Sequence, residues 1–250
     1  MENSKIGYVH SIETFGNLDG PGIRFILFLQ GCTLRCKYCH NRDSWKLNES
    51  KQMTVDEVVT EVLKYREFFN ASGGGVTVSG GEPLIQLEFL VELFEVLKKY
   101  DIHTNIDTSG GIKLTERNTS LFAKLLTHTD LVMLDVKLMD EEGHKELIGT
   151  PNAHIHELGR VVAKSGTPLW IRRVLVPGLS DSETDLQATA DYIRELNRLG
   201  TVEKVEVLPY HPMGEKKWEE LGYDYPLKGQ RIPTKEEIEK AERILKAGIE

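Results

Sequence analysis

Of 250 residues only three are cysteine, and none lies before position 32 or after position 39. So small and odd a number argues against a disulfide framework. No apolar run is long enough to cross a bilayer, and Met1-Glu2-Asn3-Ser4-Lys5 opens no apolar leader. A cytoplasmic protein without membrane contact is expected. A cationic excess is missing too: 31 Lys and Arg stand against 39 Asp and Glu, a net charge of −8, which disfavours a nucleic-acid partner. There is no internal repeat and no low-complexity tract. What is present is 40% hydrophobic and of ordinary length for one α/β domain, so residues 1–250 are expected to form a single domain.

The three thiols lie within eight positions, in Gly31-Cys32-Thr33-Leu34-Arg35-Cys36-Lys37-Tyr38-Cys39-His40-Asn41. Structural cysteines scatter through a core as small hydrophobes, so this concentration points to a metal or redox site.

The rest of the chain alternates between two periods. A short extended segment, Lys5 to Ile12, and a Gly/Pro-rich loop, Phe15 to Gly22, precede a nearly continuous apolar run from Ile23 to Leu29, which reads as a buried strand. Val76-Thr77-Val78, His103 to Asp107, Leu131 to Asp135, Leu169 to Val174 and Val205 to Leu208 read as further strands. The capping box Thr54-Val55-Asp56-Glu57 opens a helix expected to end near Asn70. Other helices are expected from about Leu87, with Leu90, Val91, Phe94 and Leu97 inward, and over Leu121 to Leu126, His154 to Lys164 and Glu183 to Arg198. A second capping box, Thr234-Lys235-Glu236-Glu237, opens the last. About six β–α units imply an α/β protein with a parallel sheet and outer helices. A count below eight leaves an incomplete barrel or an open sheet, between which periodicity does not decide.

Unusual polar residues fall at the strand ends. The cysteines follow the first strand, Gly80-Gly81-Glu82 the second, Asp107-Thr108 the third, Asp135 and Lys137 the fourth, Arg172 the fifth and His211 the sixth. Parallel strands gather such ends on one edge, so one cleft built from six loops is expected. Singly, each would be a solvated charge or a satisfied structural histidine.

Three thiolates with no fourth leave one iron of a cubane cluster open to an exogenous ligand. Rival readings of the same residues exist. Cys36-Lys37-Tyr38-Cys39-His40 fits a haem-attachment pattern but leaves Cys32 unexplained. Zinc held by the cysteines and His40 would need two adjacent residues on one ion. A thioredoxin-like pair uses only two of the thiols.

The spacing Cys32-x3-Cys36-x2-Cys39, followed by Gly80-Gly81-Glu82, resembles the radical S-adenosylmethionine (SAM) superfamily. Within it, Asp19-Gly20-Pro21-Gly22-Ile23-Arg24-Phe25, Gln30-Gly31-Cys32, Tyr38-Cys39-His40-Asn41-Arg42-Asp43, Ala71-Ser72-Gly73-Gly74-Gly75-Val76, Asp130 to Asp135 and Leu208-Pro209-Tyr210-His211 resemble the family that activates glycyl-radical enzymes, in particular pyruvate formate-lyase. The resemblance covers about Gly7 to the Trp218 region.

It implies an incomplete (β/α)6 barrel carrying a [4Fe-4S] cluster on Cys32, Cys36 and Cys39. It also implies reductive cleavage of SAM to methionine and a 5′-deoxyadenosyl radical, and hydrogen abstraction from a glycine of the lyase. Around SAM it places Tyr38, Cys39, His40, Gly80, Gly81, Glu82, Asp107, Asp135, Val136, Lys137, Arg172, Val174 and His211. Gly80-Gly81-Glu82 would meet the amino group, Lys137 the carboxylate, Asp107 the ribose, and Arg172 with Val174 the adenine end. A monovalent cation, K+ or Na+, is implied at Asp107, Thr108, Met133 and Asp135, and substrate contacts at Asp19 and His40. The implied partners are pyruvate formate-lyase and a reduced flavodoxin or ferredoxin, the latter drawn by Arg35, Lys37, Arg42 and Lys46. The chain itself is expected to be a monomer. Activation of another glycyl-radical enzyme, and radical chemistry on a small molecule, stay open at this point.

Overall fold

The computed structural model describes residues 4–250. The chain divides into two compact units, one taking in the residues up to Cys32 with Ser44–Met133, the other Thr33–Asp43 with Leu134–Glu250.

In the first unit the strands are β1 (Ile6–Gly16), β2 (Arg24–Leu29), β3 (Lys51–Thr54), β4 (Gly75–Gly80), β5 (His103–Thr108) and the start of β6 (Leu131–Asp135), in the order β3-β1-β2-β4-β5-β6. β1 runs antiparallel to both β2 and β3, while β2, β4 and β5 are mutually parallel. Helices α1 (Val55–Leu63), α2 (Arg66–Ser72), α3 (Leu87–Lys98) and α4 (Glu116–Leu126) alternate with them. The apolar stripes settle which faces go inward: Val55, Val58, Val59 and Val62 of α1 are buried, as are Leu90, Val91, Phe94 and Leu97 of α3.

The helix expected to reach Asn70 is in fact two. The amides of Lys64 and Tyr65 donate to carbonyls three residues back, Glu61 and Val62, which tightens and ends the turn. The Tyr65 ring then packs against Phe15 and Phe25, so an aromatic contact interrupts a sequence of uniform helical period.

Within this unit Ala71-Ser72-Gly73-Gly74-Gly75 acquires a physical reason. A Cβ at Gly74 would stand 1.9 Å from the Ile23 carbonyl, and one at Gly75 2.1 Å from that of His103. The entries to β2, β4 and β5 approach too closely for any side chain. Arg24, fully buried, locks the same corner: its guanidinium donates to the Thr77 hydroxyl (2.9 Å) and to the carbonyls of Pro21 and Val76.

β6 runs on into the second unit, where β7 (Leu169–Leu175) and β8 (Val202–Pro209) follow in the order β6-β7-β8, the last two parallel. The helices here are α5 (Glu141–Ile148), α6 (Ala153–Ser165), α7 (Glu183–Asn197), α8 (Glu215–Glu220) and α9 (Lys235–Lys246). Thr234 and Glu237 form the expected capping box. α5 has no counterpart in the sequence reading, although its stop signals stand in the sequence. Asp140 caps its first turn through Gly143 N (2.6 Å), and Gly149 takes the left-handed conformation at its end. Among the described residues no helix is long and apolar enough to cross a membrane.

Candidate cofactor site

In the first unit, β2 delivers Cys32. The chain leaves the strand through Gly31, whose amide donates to Ser44 O, and Cys32 is buried with its amide on Trp45 O. The exit of β4 lies against this turn. Gly81 donates to Leu29 O and Glu82 to Gly31 O, and a Cβ at Gly80 or Gly81 would fall 2.3 or 2.1 Å from a carbonyl oxygen of β2 or its exit. The two glycines are therefore required by backbone approach, whatever they meet in addition.

Glu82 is wholly buried, and its carboxylate is fully engaged. Oε1 accepts from the Thr108 hydroxyl (2.6 Å) and Leu84 N, and Oε2 from the amides of Ser109 and Gly111. Burial raises its pKa, and the four donors pull part of that rise back. Glu82 thus ties the loop after β4 to the loop after β5. Asp107, on the same edge, accepts from the Ser79 hydroxyl at 2.7 Å. Met133 is buried, with Asn105 Nδ2 3.0 Å from its sulfur. Asp19 enters from the opposite end of β2 to Cys32, its carbonyl accepting from Thr77 Oγ1 (2.6 Å) and Asn105 Nδ2 (3.0 Å).

In the second unit the other two cysteines lie in a loop gripped at both ends. Arg35 N donates to Ile148 O and Lys37 N to Leu147 O, which pins the loop to the last turn of α5. Cys39 N donates back to Cys36 O at 3.1 Å, so the two thiols come from one tight turn. Beyond Cys39 the grip passes to residues 211–223. Trp218 Nε1 donates to Cys39 O at 2.8 Å, the His40 ring bonds His211 O at 2.9 Å, and Lys217 reaches Asn41 and Asp43.

Beside this loop β6 and β7 build a buried charge cluster. Lys137 Nζ stands 2.6 Å from one oxygen of Asp135 and Arg172 Nε 3.0 Å from the other. Burial opposes the charge on Asp135, but Arg172 and Lys137 outweigh it and hold its carboxyl below the usual range. Burial opposes Lys137 likewise, while Asp135, Tyr38 and Cys36 raise it well above the usual lysine value. Lys137 Nζ is 5.7 Å from the centre of the Tyr38 ring. Two cations on one carboxylate leave a net positive charge in a dry place, which suits an incoming anion.

Arg172 lies in the middle of β7 rather than at its end, and Val136 N donates to its carbonyl. Val174 O accepts from the Ser180 hydroxyl, and His211 is exposed just past β8. Arg173, next to Arg172 but on the other face, is fully buried on Asp185 (2.6 Å), whose second oxygen accepts from the amides of Met139 and Asp140. Sequence reasoning missed this pair, because two successive arginines on a strand give no hint that one is internal.

The donor set fits an iron–sulfur cluster. All three thiols are unbridged. Burial pushes the Cys36 thiol up to about 12, partly offset by Lys137, so a thiolate there calls for a bound cation as partner. A cubane takes one thiolate per iron, and the three unbridged thiols can supply three of them. The basic residues expected to draw an electron donor are largely engaged. Lys37 pairs with Glu146 and Lys46 with Glu49, while Arg42 stacks on Tyr223 at 4.0 Å.

Comparison with known proteins adds the following. A family model described as a 4Fe-4S single cluster domain matches residues 18–156. The chain is 50% identical over 241 residues to a pyruvate formate-lyase-activating enzyme of Staphylococcus epidermidis, covering 96% of this chain and 95% of that one. A protein of the same name from Staphylococcus aureus is 49% identical over 244 residues, with the same coverage of both chains. Among solved structures, a domain of pyruvate-formate lyase-activating enzyme from Bacteroides vulgatus aligns over 70% of this chain and 94% of its own, with TM-score 0.56 and 26% identity. A radical SAM methyltransferase from Sphaerobacter thermophilus aligns over 97% of this chain and 75% of its own, with TM-score 0.61. At 15% identity that last likeness is one of fold alone.

Proposed function

The chain belongs to the family of pyruvate formate-lyase-activating enzymes, and on that premise we propose that it installs a glycyl radical in pyruvate formate-lyase by [4Fe-4S]-dependent reductive cleavage of SAM. When bound, the cluster supplies one electron to SAM, whose cleavage to methionine and a 5′-deoxyadenosyl radical provides the agent that removes hydrogen from the lyase glycine. The observation that carries this reading is the set of three unbridged thiols in a chain alike to its named relatives over nearly its whole length.

The residue roles in this reading are those that the family resemblance implies. Cys32, Cys36 and Cys39 would hold the cluster, and with no fourth cysteine in the sequence SAM would bind at the iron they leave free. Lys137 faces the carboxylate, supported by the excess positive charge around Asp135. Asp107 takes ribose hydroxyls, and Arg172 with Val174 frames the adenine. Tyr38, His40, Val136 and His211 complete the contacts. For the ammonium group the backbone carbonyls after β4 are the better acceptors, since the Glu82 carboxylate already receives four hydrogen bonds. Glu82 serves by holding that loop.

The family resemblance also implies a monovalent cation, K+ or Na+, with Asp107, Thr108, Met133 and Asp135 as its ligands, and Asp135 could serve only by giving up its contact with Lys137 or Arg172. Asp19 and His40 would contact the glycine loop of the lyase. A reduced flavodoxin or ferredoxin would supply the electron. The chain would act in the cytoplasm as a monomer and a single radical SAM domain over residues 1–250.

The test is anaerobic reconstitution with iron and sulfide, reduction, and addition of SAM with the lyase or with a lyase variant carrying alanine for the radical glycine. Methionine and 5′-deoxyadenosine should form in step with activation of the normal lyase. Equal turnover with no lyase activation would sink the assignment and favour a small-molecule substrate.

A further inference from the structure

The five consecutive residues Cys39 to Asp43 are each held by one downstream segment, residues 211–223. The Trp218 indole reaches the Cys39 carbonyl across 179 positions of sequence. Gly214 packs on the same carbonyl: a Cβ there would come within 2.8 Å of Cys39 O and 3.2 Å of His40 Cα. His211 O takes the His40 ring, Lys217 takes Asn41 and Asp43, and the Arg42 guanidinium lies over the rings of Tyr223 (4.0 Å) and Trp218 (5.5 Å). Behind them Tyr225 meets Trp218 edge-on at 5.8 Å.

We propose that residues 211–223 form a positioning strap for the third cluster ligand, and that Trp218 sets the redox poise of the cluster through the main chain of Cys39. This rests on the reading of Cys39 as a cluster ligand. An indole has a single N–H donor, and here it is directed at the carbonyl of that cysteine. Trp218 is only 5% exposed, so the dipole acts with little solvent screening. The N–H withdraws electron density from the Cys39 carbonyl, and so from the residue that would carry the cluster, which favours the reduced state. Hydrogen bonding and dipoles around the ligating cysteines are among the levers by which a protein sets cluster potential. A role in packing alone needs the ring and not the N–H, so the two roles separate in a variant that keeps an aromatic ring. Gly214 belongs to the same device, since a side chain there would lift the strap from Cys39.

The experiment is Trp218→Phe in the full-length reconstituted protein, compared with the parent. Iron and sulfide content, thermal transition and cluster midpoint potential without SAM are measured, the last by titration followed by electron paramagnetic resonance. The strap predicts a folded, cluster-bearing variant whose midpoint is more negative, with an altered resonance line shape. A folded variant that no longer takes up iron also supports the positioning role. An unchanged midpoint and line shape at full cluster content overturn the proposal. If Trp218→Phe does not fold, Gly214→Ala presses one methyl on the same carbonyl and is read by the same midpoint, a shift supporting the proposal and none overturning it. Cys39→Ala, measured alongside, separates the two levels: full cluster content in that variant refutes Cys39 as a ligand, whatever Trp218 does.

Discussion

Asp135 carries two buried cations on one carboxylate, and what it does for stability depends on both staying. Removing its charge leaves Lys137 and Arg172 buried against each other, and breaking a buried pair from one side costs about 3–5 kcal/mol. Asp135→Asn should lower the urea midpoint of unfolding by a corresponding amount; a loss below about 1 kcal/mol would show that solvent reaches the cluster.

A second residue-scale prediction concerns pH. Burial, with Arg160 nearby, lowers His156 from 6.5 to about 4. Between those values the unfolded chain binds a proton that the folded chain does not, so stability falls as pH drops from 6.5 through 4. The full effect is about 3 kcal/mol by the usual conversion of a pKa shift. His156→Phe should flatten the stability curve in that window, and an unaltered slope between pH 6.5 and 4 would count against a neutral buried imidazole.

Among the elements, α6 meets α7 at Gly159, where a Cβ would lie 2.2 Å from the Tyr192 hydroxyl oxygen. That hydroxyl donates to His156 O at 2.7 Å, so the helices are joined by a bond that a methyl group would displace. Gly159→Ala should gain a little helix propensity and lose more in overpacking, a net cost of about 1–3 kcal/mol by thermal denaturation. An unchanged or raised melting temperature would mean that the interface relaxes freely.

Elements with strong period were legible from sequence: all six strands expected to be parallel are strands, and both capping boxes formed. Short elements without an apolar stripe were not. β3 is an edge strand of four residues, α5 has eight residues rich in charge, and α8 has six. The chemistry followed the same division. Local spacing singled out the three cysteines, and placement after strands singled out Asp135 and Lys137, which the structure pairs at 2.6 Å. The contacts of Trp218 and Gly214 with Cys39, the capture of the Met139 and Asp140 amides by Asp185, and the full engagement of Glu82 are products of tertiary approach. Nothing near those residues in sequence announces them.

For the molecule as a whole, a chain of net charge −8 with three cysteines in one loop is built around one cofactor-dependent reaction. Cys32→Ala, Cys36→Ala and Cys39→Ala should each abolish formation of 5′-deoxyadenosine while leaving the circular dichroism spectrum of the protein unchanged. An active single variant would contradict the assignment of three ligands. The most direct test of the central claim is electron paramagnetic resonance of pyruvate formate-lyase after anaerobic incubation with the reduced, reconstituted protein and SAM. The account predicts a glycyl radical signal that grows with lyase activity and is absent without SAM. A silent lyase, in a mixture where SAM is being cleaved, would contradict it.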